Sequence, residues 1–560
     1  MALLLVTGTD TAPKTLNPVG IWGDADQLLV TAAGTLATDG STAVTVNANG
    51  ARMTVNGAVV ATSTAIGTTA DGLYVPGFNG TNLLVGTTGV VAAGYQAVSM
   101  LGDSSSVTNA GLISSGGYGI DIDGDAASVT NTGQILGRST GISISGEGAV
   151  VRNHGVIQAA NPNEFWSDAV YVGMNGTVEN TGTISASGLG VGMGDDGILV
   201  NSGSIVAGGL VYYAVQMTGD AVVTNSGSIT NAEGGAIGAS NYYSPGPGSF
   251  RLNNSGSITA ADAAVKVTES YWGHATTSQI VNSGTITGNV LLGSGNDSYD
   301  GRLGTLNGFL DAGAGNDIVL GGAGDETVNG GAGNDDIKAG AGDDAVHGGA
   351  GSDSMEGGLG TDLLMYNLSS AGVAVNLGNG RASGGDATGD RFTGFENLWG
   401  TQHGDALAGS AGDNQLAGLG GNDELLGGEG GDLLRGGIGD DVLEGGGGRD
   451  NLWGDAGGDT FRWRDLLESG VTNGTRDVVN DFVQGEDVFD LSLIDAGAVA
   501  GDQAFAFRGM AGFTGAGAEL RFVQGGGNTV VVVDTNGDKL ADLSFLIMGT
   551  HALTADDFLL

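Results

Sequence analysis

In two stretches of this chain an aspartate returns at every ninth residue, behind a run of glycines and two places ahead of a large apolar side chain. The segments GGAGDETVN, GGAGNDDIK, AGAGDDAVH, GGAGSDSME and GGLGTDLLM run without a gap from Gly321 to Met365. A second uninterrupted block, from Gly400 to Arg462, includes GLGGNDELL, GGEGGDLLR, GGIGDDVLE, GGGGRDNLW and GDAGGDTFR. The pattern is the nonapeptide G-G-x-G-x-D-x-U-x, with U a large apolar residue. Its chemistry is that of a hard cation: many carboxylates, beside glycine turns whose carbonyls can converge, supply the six to eight oxygens that calcium takes. The position-six carboxylates are Asp297, Asp317, Asp335, Asp344, Asp353 and Asp362 in the first block, and Asp405, Asp423, Asp432, Asp441, Asp450 and Asp459 in the second. Glu326 and Asn414 depart from the pattern and are expected to mark weaker or absent sites. Without the ion the facing carboxylates repel, and such short strands bury too little to offset chain entropy, so calcium is expected to drive folding here.

The rest of the nonapeptide supplies the elements that position these carboxylates. Its last three residues make a short strand whose eighth residue, for example Val328, Ile337, Val346, Leu364, Leu425, Leu434, Leu443 or Leu452, fills the interior. Two half-turns then complete one coil of a parallel β-roll, and stacked turns hold calcium between them. Upstream lies a different array, Asn-x-Gly-x-Ile, built on Asn109, Asn131, Asn153, Asn180, Asn201, Asn225, Asn254 and Asn282 at spacings of 21 to 29 residues. A rung of about 22 residues is one coil of a right-handed parallel β-helix in size. Ile142 and Ile144 alternate with polar neighbours, so both should point into the coil. Asn-x-Gly should supply a turn through positive φ, and the stacked Asn residues an internal ladder.

The fold class is therefore all-β: a right-handed parallel β-helix, or β-solenoid, followed by a calcium β-roll and a β-rich C-terminal cap. Its expected segments are an N-terminal cap (1–27), the β-helix (28–290, degenerate to about 100), a first roll block (291–365), an insertion (366–399), a second block (400–462) and a C-terminal region (463–560). The cap is expected because an open solenoid end exposes a strand edge. Three longer rungs insert aromatics, Phe165 and Trp166, Tyr242 and Tyr243, and Tyr271 and Trp272, which are candidates for a contact patch.

Composition narrows the function classes. A net charge of −44 excludes nucleic acid as a partner, because phosphate binding needs clustered Lys and Arg. Residues 291–460 hold 28 Asp and Glu against 6 Lys and Arg, about half of that charge, which is a ligand array more than a solvated face. With no Cys, neither disulfides nor thiolate metal sites are available. No transmembrane segment is expected, because no run of about twenty apolar residues occurs. The start, MALLLVTGTDTAPK, lacks a basic n-region and an apolar stretch of secretory length.

The nonapeptides resemble those of the RTX family. The segments RDVVNDFVQGEDVFDLSLIDAG (Arg476–Gly497), FTGAGAELRF (Phe513–Phe522) and VVDTNGDKLADLSFLIMG (Val532–Gly549), with the ending LTADDFLL, are similar to the C-terminal domain of serralysin-type secreted metalloproteases. That resemblance covers roughly 290–560. It implies a cap on the calcium roll, an uncleaved C-terminal signal read by type I secretion machinery, and an extracellular or cell-surface location. Asp534, Asn536, Asp538 and Asp542 have EF-hand-like spacing, yet Phe545 stands where the bidentate Glu belongs, so a turn is the expected reading. The zinc motif H-E-x-x-H of the proteases is absent: His154, His274, His347, His403 and His551 are isolated and none is followed by Glu.

Residues 1–290 must then carry the distinctive function, and they contain six basic side chains spread over many coils. Polysaccharide lyase or epimerase chemistry needs a base and a group that neutralises the substrate carboxylate, so it is kept as the alternative. The preferred reading is a calcium-dependent structural protein of the cell surface or matrix: an S-layer-like lattice subunit or an adhesin, with no catalytic residue assigned. Its expected partners are further copies of the chain in an oligomer or lattice, and a cell-surface glycan or lipopolysaccharide.

Overall fold

Repetition with a short period leaves each strand one kind of partner, its own copy in the next coil, and most of the structure is built that way. It is a computed structural model, and it describes residues 3–16, 27–62, 70–161, 167–209, 213–241, 246–269, 273–494 and 504–560. The chain forms two compact units, Met1–Gly313 and Ala314–Leu560. Among the described residues no helix is long and apolar enough to cross a membrane. The aromatic candidates Phe165, Trp166, Tyr242, Tyr243, Tyr271 and Trp272 lie outside the described residues.

In the first unit most coils contribute three short strands, as in Ser128–Asn131, Gln134–Gly137 and Thr140–Ile144. Each pairs in parallel with its equivalent one coil on, so that Asn131 faces Asn153, Ile135 faces Ile157 and Ile142 faces Val170. The unit is thus a parallel β-solenoid. Its interior is filled by columns of one residue kind: Ile113, Ile135, Ile157, Ile184, Ile205, Ile229, Ile258 and Ile286 are all fully buried. Each such side chain contributes roughly 1.5–3 kcal/mol of burial. Ile142 and Ile144 point inward as expected.

Two features differ from the sequence reading. A cap was expected over residues 1–27, but Leu3–Val6 pairs in parallel with Gln27–Val30 and Lys14–Leu16 with Val44–Val46, so the described part of that segment is the first coil itself. The glycines of Asn-x-Gly do not take positive φ. They are required by stacking, because a Cβ on Gly133 would collide with the Gly111 carbonyl and one on Gly155 with that of Gly133.

The asparagines do form the expected ladder. Each Nδ2 donates to the Oδ1 of the next coil's Asn, from Asn109 to Asn131, Asn153, Asn180, Asn201, Asn225, Asn254 and Asn282, at 2.7–2.8 Å. All eight are at most 2% exposed. A short amide suits the corner because it donates and accepts along the same axis.

In the second unit the nonapeptide strands form two parallel ladders. One links Ile318–Leu320, Asp336–Ala341, Ser354–Leu359 and Arg391–Thr393, and in the second block its sheet links Ala374–Asn376, Ala406–Ala408, Glu424–Gly430, Val442–Gly448 and Thr460–Arg462. The other runs Thr327–Ala332, Ala345–Ala350, Leu363–Met365, Asn397–Trp399, Gln415–Gly420, Leu433–Ile438, Asn451–Ala456 and Val478–Val479. The stretch 366–399, read from sequence as an insertion, therefore carries one rung of each ladder and a short antiparallel pair, Ala374–Asn376 with Arg381–Ser383. The C-terminal region extends both ladders, then folds Glu519–Gly525, Asn528–Asp534 and Leu543–Ile547 into an antiparallel sheet. Trp463, Phe489 and Phe545 pack together at its base, with Trp463 and Phe545 stacked at 4.1 Å between centroids.

Candidate metal centre

Each nonapeptide turn aims its aspartate back along the solenoid axis. One oxygen, Oδ1, accepts the backbone N–H of the position-six residue one coil earlier: Asp335 from Asp317, Asp353 from Asp335, Asp441 from Asp423, and Asp459 from Asp441, at 2.8–3.0 Å. On the other ladder Asp344 accepts from Glu326, Asp362 from Asp344, Asp432 from Asn414, and Asp450 from Asp432, at 2.7–2.9 Å. The second oxygen has no such use. Oδ2 of Asp335, Asp344, Asp353, Asp362, Asp423, Asp432, Asp441 and Asp450 is buried without a hydrogen-bond partner, on side chains at most 2% exposed.

A buried carboxylate oxygen with no partner is costly, and eight in two regular rows call for a cation. The first glycine of each turn makes room for them: a Cβ on Gly330, Gly348, Gly418, Gly427, Gly436 or Gly445 would strike Oδ2 of its own turn's Asp. Among the described residues no three acidic or imidazole side chains converge on one point. An ion here would take carboxylate oxygens from the rows and complete its shell with turn carbonyls, as a hard oxygen-seeking ion such as calcium does. The residues thus fit calcium.

Other sequence-chosen positions differ from this pattern. Asp405 already uses both oxygens, accepting from Val373 N–H at 2.7 Å and Thr401 N–H at 2.6 Å. Asn414 Oδ1 accepts from Ser410 N–H at 2.6 Å, and Glu326 Oε2 accepts from Gly322 N–H at 3.2 Å. Asp297 accepts Ser278 N–H and lies in the first unit, while Asp317 and Asp459 are buried in the second. Asp534 and Asp542 close a hydrogen-bonded turn, accepting the N–H groups of Gly537, Lys539 and Thr535, which matches the turn reading of that segment.

The rows also contain four carboxylates that period-nine reading misses. Asp390 accepts from Asp353 N–H, Glu396 from Asp362 N–H, Asp477 from Asp450 N–H and Asp487 from Asp459 N–H, at 2.8–3.0 Å. Each keeps the acidic-x-apolar half of the repeat, in Asp390-Arg-Phe, Glu396-Asn-Leu, Asp477-Val-Val and Asp487-Val-Phe, without the glycine half. That half-motif was the available signal.

Burial and the neighbouring anions push these carboxyls upward. Asp450 rises to about 8, from burial and then Asp477; Asp423, Asp459 and Asp477 rise to about 7; Asp432 and Asp441 rise to about 6. Their folded values exceed the unfolded value near 4, so protonation favours the metal-free fold and that advantage is lost as pH rises from about 4 to about 8. Calcium-free protein should therefore gain strand signal and a higher urea midpoint on going from pH 7.5 to pH 5. Calcium-loaded protein should show the opposite trend, because protons compete with the ion.

The model of the RTX calcium-binding nonapeptide repeat matches residues 304–337 and 330–364, and that of the peptidase M10 serralysin C terminal matches residues 402–560. Among solved structures, the chain is similar to the AlgE6R3 subunit of the Azotobacter vinelandii mannuronan C5-epimerase, 30% identical over 28% of this chain and 78% of that one, with a TM-score of 0.16. It is also similar to the extracellular lipase LipA of Serratia marcescens, 18% identical over 44% of this chain and 40% of that one, with a TM-score of 0.18. No curated protein matches significantly.

Proposed function

Because the chain is an RTX calcium-binding protein with a serralysin-type C-terminal region, exported to the extracellular space by type I secretion, we propose that it is a structural component of the cell surface or matrix, rigidified outside the cell by calcium. The ions would be held by Asp335, Asp344, Asp353, Asp362, Asp423, Asp432, Asp441 and Asp450, whose free oxygens face the turns. Asp317 and Asp459 belong to the same rows, Asp297 takes the equivalent position in a turn of the first unit, and Asp405, with both oxygens engaged, contributes least.

The observation that carries this reading is the register of the first unit. From Asn109 to Asn282 every coil repeats the same internal partners, which makes a stiff rod whose residues serve stacking. The basic side chains that surface chemistry would recruit are dispersed, and Lys14 and Arg152 are already paired with Asp10 and Glu179. A rod of this kind suits a lattice subunit or an adhesin, which needs reach and regularity.

One observation favours the alternative, a polysaccharide-modifying enzyme. On the outer face Asp121 is held by Gln96 Nε2 at 2.7 Å, burial pushes both Asp121 and its neighbour Asp71 up, and Gln96 faces Tyr118 in the strand register. Imaging of the purified protein with calcium separates the two. Sheets or filaments that disperse on chelation support the structural reading; dispersed monomers that release unsaturated sugars from uronate polymers would replace it with the enzyme.

A further inference from the structure

In most of the nonapeptide turns the second residue takes left-handed backbone angles. Gly331, Gly340, Gly349, Gly358, Gly428, Gly437 and Gly446 sit there with φ between +91° and +123°. Two turns of the second block keep these angles with a side chain in place of glycine: Leu419 at φ +78° and Asp455 at φ +70°. Such angles strain any residue with a Cβ. Glycine serves the fold at the equivalent positions, so the two side chains point to a use outside folding.

Strand register makes them neighbours of a single gap. Leu419 pairs with Gly437, and Gly437 with Asp455, so the two side chains stand two strands apart, ~9.6 Å at ordinary strand spacing, with bare glycine between them. The groove around this gap has a volume of about 550 Å³ and is also lined by Trp399, Gln415, Arg435 and Ile438. Trp399 is 40% exposed and Ile438 69%. Arg435 donates from Nε and Nη2 to the Asp455 carboxylate at 2.5 and 3.0 Å, which fixes a planar donor–acceptor pair at the groove wall.

We propose that this groove binds a neutral saccharide. A pyranose ring has apolar C–H faces and a rim of hydroxyls, each needing a donor or an acceptor. Trp399, Leu419 and Ile438 offer the apolar contact, while the Arg435–Asp455 pair and the Gln415 amide offer both kinds of hydrogen bond. Charge selects against acidic sugars. The Asp481 carboxylate accepts the Asp455 N–H at 2.8 Å, so two carboxylates meet one guanidinium here, on a chain of net charge −44.

Calorimetric titration of the calcium-loaded full chain tests the assignment, using maltopentaose, mannopentaose and laminaripentaose as neutral probes and trigalacturonate as the acidic one. At least one neutral pentaose should bind and trigalacturonate should not. Trp399→Ala should weaken that binding at least tenfold while the calcium-dependent circular dichroism stays unchanged. Leu419→Gly and Asp455→Gly should each raise the melting temperature and weaken binding at least fivefold. Absence of neutral-sugar binding, equal or tighter binding of trigalacturonate, or affinity that survives Trp399→Ala overturns the proposal. A lower melting temperature in Leu419→Gly also overturns it, since the strained side chain would then serve the fold.

Discussion

Chelation of calcium at pH 7.5 should abolish the strand signal of the roll, residues 314–462, while the coils of the first unit stay folded. The reason is a difference in what each interior contains. The first unit is filled by apolar columns and an amide ladder whose donors and acceptors are matched. The roll holds at least eight carboxylate oxygens that are buried and unpaired. Even after relaxation, an uncompensated buried ion costs several kcal/mol. A handful of these exceeds the 5–15 kcal/mol that keeps a domain folded, so no other interaction in the roll can offset them at neutral pH. Circular dichroism with and without chelator, followed by limited proteolysis, reads the result. A protease-resistant fragment ending near residue 313 and a digested remainder are expected, and a spectrum indifferent to chelator would contradict the account.

The largest single-residue effect should come from the middle of the amide ladder. Asn180 accepts from Asn153 at 2.8 Å and donates to Asn201 at 2.7 Å. Asn180→Leu removes the donor to Asn201 Oδ1, leaves Asn153 Nδ2 only its backbone acceptors Gly155 O and Thr183 O, each lost bond being worth about 1–3 kcal/mol, and adds a branched side chain to a filled corner. A loss of about 3–6 kcal/mol is expected, seen as a lowered urea midpoint for the first unit. Thr177→Ala, in the same strand with a side chain on the outward row, should change the midpoint by no more than about 0.5 kcal/mol in equivalent free energy. Comparable effects from the two substitutions would show that the ladder is incidental.

Legibility followed the period of the chemistry. Asp335 or Asp441 could be read directly because glycine, acid and apolar residue return together every nine residues, and the ladder Asn residues because Asn, Gly and Ile return together. Asp390, Glu396, Asp477 and Asp487 escaped because their turns lack the G-G-x-G spacing, and only the acidic-x-apolar half survives. The role of Gly133 was misassigned for a related reason. Sequence shows that a glycine is needed, but whether for positive φ or for the approach of the next coil is decided by stacking, which only the fold reveals. The first coil at Leu3–Val6 was missed because it lacks the Asn-Gly corner and shares with its neighbours only a short apolar alternation. Asp405 shows the reverse case, a position with the right spacing whose oxygens are taken by Thr401 and Val373.

The ladder between Asn109 and Asn282 has one more implication. Asn109, Asn131 and Asn153 are separated by equal intervals of 22 residues and are joined in turn by the same Nδ2–Oδ1 bond. Excising residues 110–131 would bring Asn109 against Asn153 with every pairing preserved, and duplicating them would insert a further storey. Extent along the axis is therefore quantised, growing or shrinking by ~4.8 Å per coil. Gene duplication can tune how far this unit reaches without altering a single interior contact.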